Sequence, residues 1–170
     1  MSLIFLVGFM GCGKTTMGRK LSAALGYEFI DLDHKFEEQA GMRIAEYFTE
    51  HGEDAFRQME SNILKETQYP EKAVVSTGGG LPCFFDNMDW MNANGQTVYM
   101  KLTPKMLASR LENAKTPRPV LQGKKGQELV EFIETKLAER EPHYGKAAVV
   151  AESFADLTPE NIMYLLSTRQ

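Results

Sequence analysis

The opening stretch constrains this chain most. The apolar run Leu3 to Val7 leads straight into Gly8-Phe-Met-Gly-Cys-Gly13-Lys14-Thr15-Thr16. Gly8, Gly13, Lys14 and Thr15 fall at the fixed positions of G-x-x-x-x-G-K-[ST]. The run reads as a buried strand, and the residues after the turn, Thr15 to Leu25, have helical apolar spacing with Gly26 as a stop. A strand, a glycine turn and a helix in this order present backbone N–H groups and a helix N-terminus to a polyphosphate. Gly11, Cys12, Gly13, Lys14, Thr15 and Thr16 are therefore the candidates to hold a nucleoside triphosphate. Lys14 reaches the outer phosphates in this reading, and the Thr15 hydroxyl is a magnesium ligand.

Such a loop belongs to an α/β sheet, and the rest of the chain supplies one. Tyr27 to Ile30, Ala73 to Ser76, Gln96 to Leu102 and Ala147 to Ala151 read as four further strands. Helical segments separate them, giving β-α-β-(αα)-β-α-β-α-lid-α-β-α. This order predicts a three-layer α/β/α fold with a five-stranded parallel sheet of the P-loop NTPase type. The whole chain, 1–170, is expected to form one domain. Two excursions overhang the phosphate loop: a helical insert at about 33–61, broken near His51-Gly52, and a basic, Pro/Gly-rich lid at about 114–126, expected to be mobile.

Several classes of function are disfavoured. A net charge of −4 argues against a nucleic-acid partner. The first apolar run is too short for a signal peptide or a membrane span, so the expectation is a cytoplasmic protein without membrane contact. One of the two cysteines, Cys12, lies inside the phosphate loop, which argues against a structural disulfide with Cys83. Nothing in the chain demands more than a monomer.

Other residues invite two readings each. Asp31 and Asp33 sit at the end of the second strand, where both carboxylates would project toward the ligand side of the sheet. Arg57 is either a surface ion-pair partner of Glu53 or Glu60, at helical spacing, or a ligand group. Thr77-Gly78-Gly79-Gly80 is either a flexible loop or a place where something approaches bare backbone. Arg140 either complements a helix C-terminus or binds an anion. Phe84 to Ala93 reads as a helix whose Trp and Phe residues are core, Thr103-Pro104 and Thr158-Pro159 read as helix starts, and Gln127 to Glu141 reads as an amphipathic helix ending just before Pro142.

Four motifs together resemble the shikimate kinase family: Gly8-x-x-x-x-Gly-Lys-Thr15; Asp31-Leu-Asp33; Phe56-Arg57-x-x-Glu60 with Val74-Val-Ser-Thr-Gly-Gly-Gly80; and Arg118-Pro-Val-Leu121 with Arg140-x-Pro-x-Tyr144. The resemblance runs from Leu3 to about Tyr144. It implies transfer of the ATP γ-phosphate to the 3-hydroxyl of shikimate, with Mg2+ as the metal. In that family pattern Arg57 and Arg140 bind the shikimate carboxylate, Glu60 holds Arg57, and Gly79 and Gly80 carry the ring. Asp33 orients or deprotonates the attacking hydroxyl, and Asp31 joins Thr15 in acting on magnesium. Lys14 and Arg118 stabilise the phosphoryl group in transit, and Arg110 lies near the position that packs on adenine. Two departures stand out: Val120 replaces the commoner Leu of the lid motif, and the tail Glu152 to Glu160 lacks a basic adenine contact, leaving backbone contacts near Ala155 to Thr158. A gluconate kinase would share the phosphate loop but gives no reason for Arg57, the glycine run and Arg140 together. A GTP switch would carry an Asn-Lys-x-Asp motif, which is absent.

Overall fold

The computed structural model describes residues 2–114, 121–152 and 155–169. Its elements follow the expected order. The strands are β1 (Ser2–Val7), β2 (Glu28–Asp31), β3 (Lys72–Ser76), β4 (Gln96–Met100) and β5 (Val149–Ala151). The helices are α1 (Lys14–Leu25), α2 (Leu32–Ala40), α3 (Ile44–Glu66), α4 (Asn87–Asn94), α5 (Pro104–Glu112), α6 (Gly126–Tyr144) and α7 (Pro159–Ser167), and a short 3-10 turn spans Leu81–Cys83.

All strand pairs are parallel, in the order β2-β3-β1-β4-β5. A parallel sheet must be covered on both faces, and β1 shows how one strand serves two cores. Ile4 and Leu6 join a cluster with Val74, Val98, Leu107, Leu129 and Ile162. The alternate residues Leu3, Phe5 and Val7 join a second cluster with Phe36, Phe56, Leu64 and Tyr144. The chain leaves β1 toward β2 and leaves β4 toward β5, so the loops part above the central strands at their carboxyl ends. Among the described residues no helix is long and apolar enough to cross a membrane.

The helix signals hold where caps were legible. Thr103 and Thr158 accept hydrogen bonds from Met106 N–H and Asn161 N–H, with proline in the first turn of each helix. Four expectations need correction. The insert is two helices with an additional break at Gly41, whose φ of 69° ends α2; the kink at Gly52 (φ 84°, ψ 173°) lies where expected. Helix α6 does not stop before Pro142 but runs through it to Tyr144. Proline costs little there because it removes a single bond near the end, and Tyr144 is fully buried against Tyr99. The lid prediction also needs dividing. Lys115 to Val120, Arg118 included, lie outside the described residues, whereas Leu121 is buried in the first core cluster. Phe84, expected in a helix and in the core, lies instead in the turn before α4.

Candidate active site

At the carboxyl end of β1 the backbone passes through left-handed angles at Gly11 (φ 82°) and Gly13 (φ 93°), which only glycine adopts without strain. Gly13 is also the residue from which α1 starts. The loop borders a cavity of about 650 Å³ lined by Gly11 to Thr16, Asp31, Asp33, Ser76, Gly79 and Arg110, among others. Lys14 is 8 % exposed, and its Nζ donates to the carbonyls of Gly8 (2.7 Å) and Phe9 (3.2 Å). Arg110 comes from α5, donates to the Gly11 carbonyl at 3.3 Å and lies against Gly13. Leu157, from the tail segment, completes one wall.

The two aspartates reach this cavity by a route that differs from the expected one. Strand β2 ends at Asp31, whose Oδ1 accepts from the N–H groups of Asp33 (3.0 Å) and His34 (3.4 Å) and so starts α2 at once. Asp33 therefore stands in the first turn of a helix, not on the strand. The capping bond outweighs continuation of the strand because it satisfies N–H groups that a helix start leaves open. The other oxygen of Asp31 accepts from the Thr15 hydroxyl at 3.3 Å. Thr15 and Asp31 thus present two hard oxygens side by side. Among the described residues no three His, Cys, Asp or Glu side chains converge as a metal cage. The pair suits an ion such as magnesium, which takes few protein ligands and keeps phosphate oxygens and water for the rest.

The glycine run beyond β3 is set by space. Register pairs Leu6 with Ser76, so the run emerges beside the phosphate loop. A Cβ on Gly78 would meet Asp33 Oδ1 and Glu60 Oε2, each at 2.9 Å. A Cβ on Gly79 would lie 3.2 Å from the Met10 backbone nitrogen and 3.6 Å from Arg140 Nη1. A Cβ on Gly80 would strike Arg57 Nη1 at 2.5 Å. The close-approach reading of Thr77 to Gly80 holds, and the run gathers Asp33, Glu60, Arg57 and Arg140 into one place.

Arg57 is not a surface residue. Its side chain is 13 % exposed, with Glu60 Oε1 at 3.0 Å from Nη1 and Glu53 Oε1 at 3.6 Å from Nε. Both ion-pair partners expected from helical spacing are present, but Glu60 is itself buried. Burial pushes the Glu60 carboxyl up to about 7 against the pull of Arg57, and the Asp33 carboxylate adds to the rise. Arg140 lies over the Phe9 ring at 5.3 Å. Its Nη1 and the Nε of Arg57 are buried without a hydrogen-bond partner among the described residues. Orphaned guanidinium donors are costly in a protein interior, and two of them beside one glycine run suit a bound carboxylate. Neither arginine borders the large cavity; they flank its Gly79 wall.

Two contacts at the site have no signal in the sequence. The Tyr144 hydroxyl donates to the Gly79 carbonyl and fastens the run to α6; burial raises its pKa, so it remains a donor. The Phe84 ring lies 4.2 Å from the Arg57 guanidinium. Spacing gave no signal for either contact, since each joins elements distant in sequence.

The geometry finds close parallels. The shikimate kinase family profile matches residues 10–168. A shikimate kinase of Parabacteroides distasonis is 47% identical over 162 residues, covering 95% of this chain and 94% of that protein. One from Bacteroides fragilis is 51% identical over 144 residues, covering 85% and 80%. The crystal structure of the Bacteroides thetaiotaomicron shikimate kinase superposes with a TM-score of 0.91 at 42% identity, covering 98% of both chains. That of the Acinetobacter baumannii shikimate kinase, in complex with shikimate, gives 0.88 at 32% identity, covering 100% of this chain and 95% of that one. A gluconokinase from Sinorhizobium meliloti shares the fold alone, with a TM-score of 0.61 at 18% identity. By the extent and level of this similarity, the chain belongs to the shikimate kinase family.

Proposed function

We propose that this chain transfers the γ-phosphate of ATP to the 3-hydroxyl of shikimate, giving shikimate 3-phosphate and ADP. One observation carries the assignment of the acceptor: Arg57 and Arg140, each with a buried N–H unmatched among the described residues, flank Gly79 and Gly80 beside the phosphate-loop cavity. Shikimate has one carboxylate on a hydroxylated ring. A carboxylate between the two guanidiniums would meet fork-shaped donors, and bare glycine backbone would leave room for the ring. The hydroxyls would then face Asp33 and the phosphate loop.

In this reading Gly11 to Thr16 hold the phosphates of ATP through backbone N–H groups and the α1 N-terminus. The shikimate oxygen forms a bond to the γ-phosphorus as the bond from that phosphorus to the β–γ bridging oxygen breaks. Asp33 orients the hydroxyl and takes its proton. Lys14 meets the charge on the transferring group, and for this it exchanges its bonds to the Gly8 and Phe9 carbonyls for phosphate oxygens. Arg118 is assigned the matching role on sequence grounds. Arg110 and Leu157 stand where the nucleoside would lie. Thr15 and Asp31 would hold magnesium, which supplies charge neutralisation on the phosphates.

The test is a coupled assay for ADP release with shikimate, gluconate and other polyols as acceptors, repeated with Arg57→Ala and Arg140→Ala. Turnover should require shikimate, and each arginine variant should raise its KM far more than the KM for ATP. Turnover on gluconate without turnover on shikimate overturns the assignment. An unchanged shikimate KM in Arg57→Ala overturns the carboxylate site.

A further inference from the structure

On α3, residues Arg57, Ser61 and Lys65 are spaced four apart and so form one stripe. All three engage the turn before α4 or Asn87, the first residue of that helix. The Phe84 ring covers the Arg57 guanidinium at 4.2 Å. Ser61 Oγ donates to Asn87 Oδ1 at 2.6 Å, and both residues are buried. Lys65 pairs with the Asp86 carboxylate. The turn is also tied internally: Asn87 Nδ2 donates to the Leu81 carbonyl at 2.9 Å, and Asn87 N–H to the Phe84 carbonyl at 3.2 Å.

Between these ties lies Phe85, at φ 51° and 61 % exposed. A bulky side chain in left-handed backbone is strained, and such strain persists only where the surroundings enforce it. Apolar burial does not enforce it, because the Phe85 ring is in solvent. The reversal at Phe85 accompanies a turn in which Phe84 lies on Arg57.

What Phe84 does there differs from what the carboxylates do. Glu60 accepts from Nη1 and so occupies a donor, whereas Glu53, 3.6 Å from Nε, pairs with the charge without a hydrogen bond. An aromatic ring holds the face and occupies no donor. It restrains the tilt of the guanidinium plane while leaving N–H groups for an incoming carboxylate. The Phe56 ring also lies near, but further away, at 5.0 Å, and it belongs to the second core cluster.

We propose that Phe84 is a positioning residue of the acceptor site, fixing the Arg57 guanidinium plane for carboxylate binding. The inference rests on Arg57 being a carboxylate ligand, as read above. The test compares Phe84→Leu, Phe84→Tyr and Arg57→Ala by steady-state kinetics, with thermal midpoints measured alongside. Phe84→Leu should raise the shikimate KM about tenfold, from loss of a desolvated ring–cation contact. Its kcat and ATP KM should stay within about twofold of the parent, because the ring is offset from the reacting atoms. Phe84→Tyr, which keeps the ring, should restore the parent KM. The Arg57→Ala/Phe84→Leu pair should be no worse than Arg57→Ala alone, since Phe84 acts through Arg57. Phe85→Ser, at the exposed neighbour, should leave all constants at parent values.

A lower midpoint in Phe84→Leu with unchanged shikimate KM overturns the proposal, leaving Phe84 a packing residue. So does failure of Phe84→Tyr to restore the KM. If Phe84→Leu does not fold, Phe84→Met is read in its place by the same criteria. A raised KM in Arg57→Ala with an unchanged KM in Phe84→Leu overturns the positioning role and leaves the carboxylate site standing. An unchanged KM in Arg57→Ala removes the carboxylate site itself, and the positioning role with it.

Discussion

Two glycine-rich turns lie side by side at the carboxyl end of the sheet, and they use glycine for opposite reasons. In the phosphate loop, Gly11 and Gly13 take backbone angles that a side chain resists. In the turn after β3, Gly78, Gly79 and Gly80 have no such angles; Gly80 sits at φ −89° and ψ −14°, ordinary helical values. Gly78 and Gly80 are glycine because Asp33, Glu60 and Arg57 arrive from α2 and α3 and occupy the space a Cβ would need, while at Gly79 the Met10 backbone nitrogen crowds that space, with Arg140 of α6 at ordinary contact distance. The first turn is demanded by its own backbone. The second is demanded by three side chains and the Met10 backbone that the chain folds onto it. A substitution in the first should therefore disturb nucleotide binding and local strain, whereas one in the second should disturb the acceptor.

The largest expected effect tests the nucleotide half. Lys14→Ala should lower kcat by about 10²–10³-fold, the usual cost of removing a donor aimed at transition-state charge; a loss below about tenfold would take Lys14 out of the chemistry. Next comes the charge cluster behind the second turn. Glu60 is raised from 4.5 to about 7, so the fold prefers its protonated form. That preference contributes stability fully present below pH 4.5 and lost as pH rises through about 7, on the order of 3 kcal/mol for the shift. In denaturant titrations at pH 4 and pH 8, the change in stability between the two pH values should be less favourable in the parent than in Glu60→Gln by about this amount, whatever the variant's absolute stability.

Gly80→Ala should displace Arg57 and raise the shikimate KM by about 10²-fold while sparing the ATP KM, because sub-ångström placement governs such contacts. The counterpart, Gly13→Ala, should cost about 1–2 kcal/mol of backbone strain and raise the ATP KM while leaving the shikimate KM nearly unchanged. If Gly80→Ala and Gly13→Ala moved both Michaelis constants equally, the division of labour between the two turns would be lost.

The difference between the turns also explains what could be read in advance. The phosphate loop, the five strands, the helix caps at Thr103 and Thr158 and the kink at Gly52 are local events, each carried by a few consecutive residues. The break at Gly41 was missed because the surrounding pattern stays helical. The strand-to-helix switch at Asp31 was missed because alternation alone cannot say when a carboxylate will cap. At Arg57 the spacing to Glu53 and Glu60 was legible, but the burial of the pair was not. The charge pattern of a surface helix and that of a buried ion pair are the same string of letters.

By itself the sequence determined the order of strands and helices, a phosphate-gripping loop at Gly8 to Thr16, and through four motifs the family whose substrate the rest of the site would suit. Only the tertiary structure decided that Thr15 and Asp31 present their oxygens together, that Tyr144 ties down Gly79, and that Phe84 lies on Arg57. It also decided that Gly78 to Gly80 are glycine for want of space. The reason is one of range: backbone angles and hydrogen-bond caps are set within a turn of the chain, whereas contact between α3, α6 and the turn after β3 exists only once the sheet has brought them together.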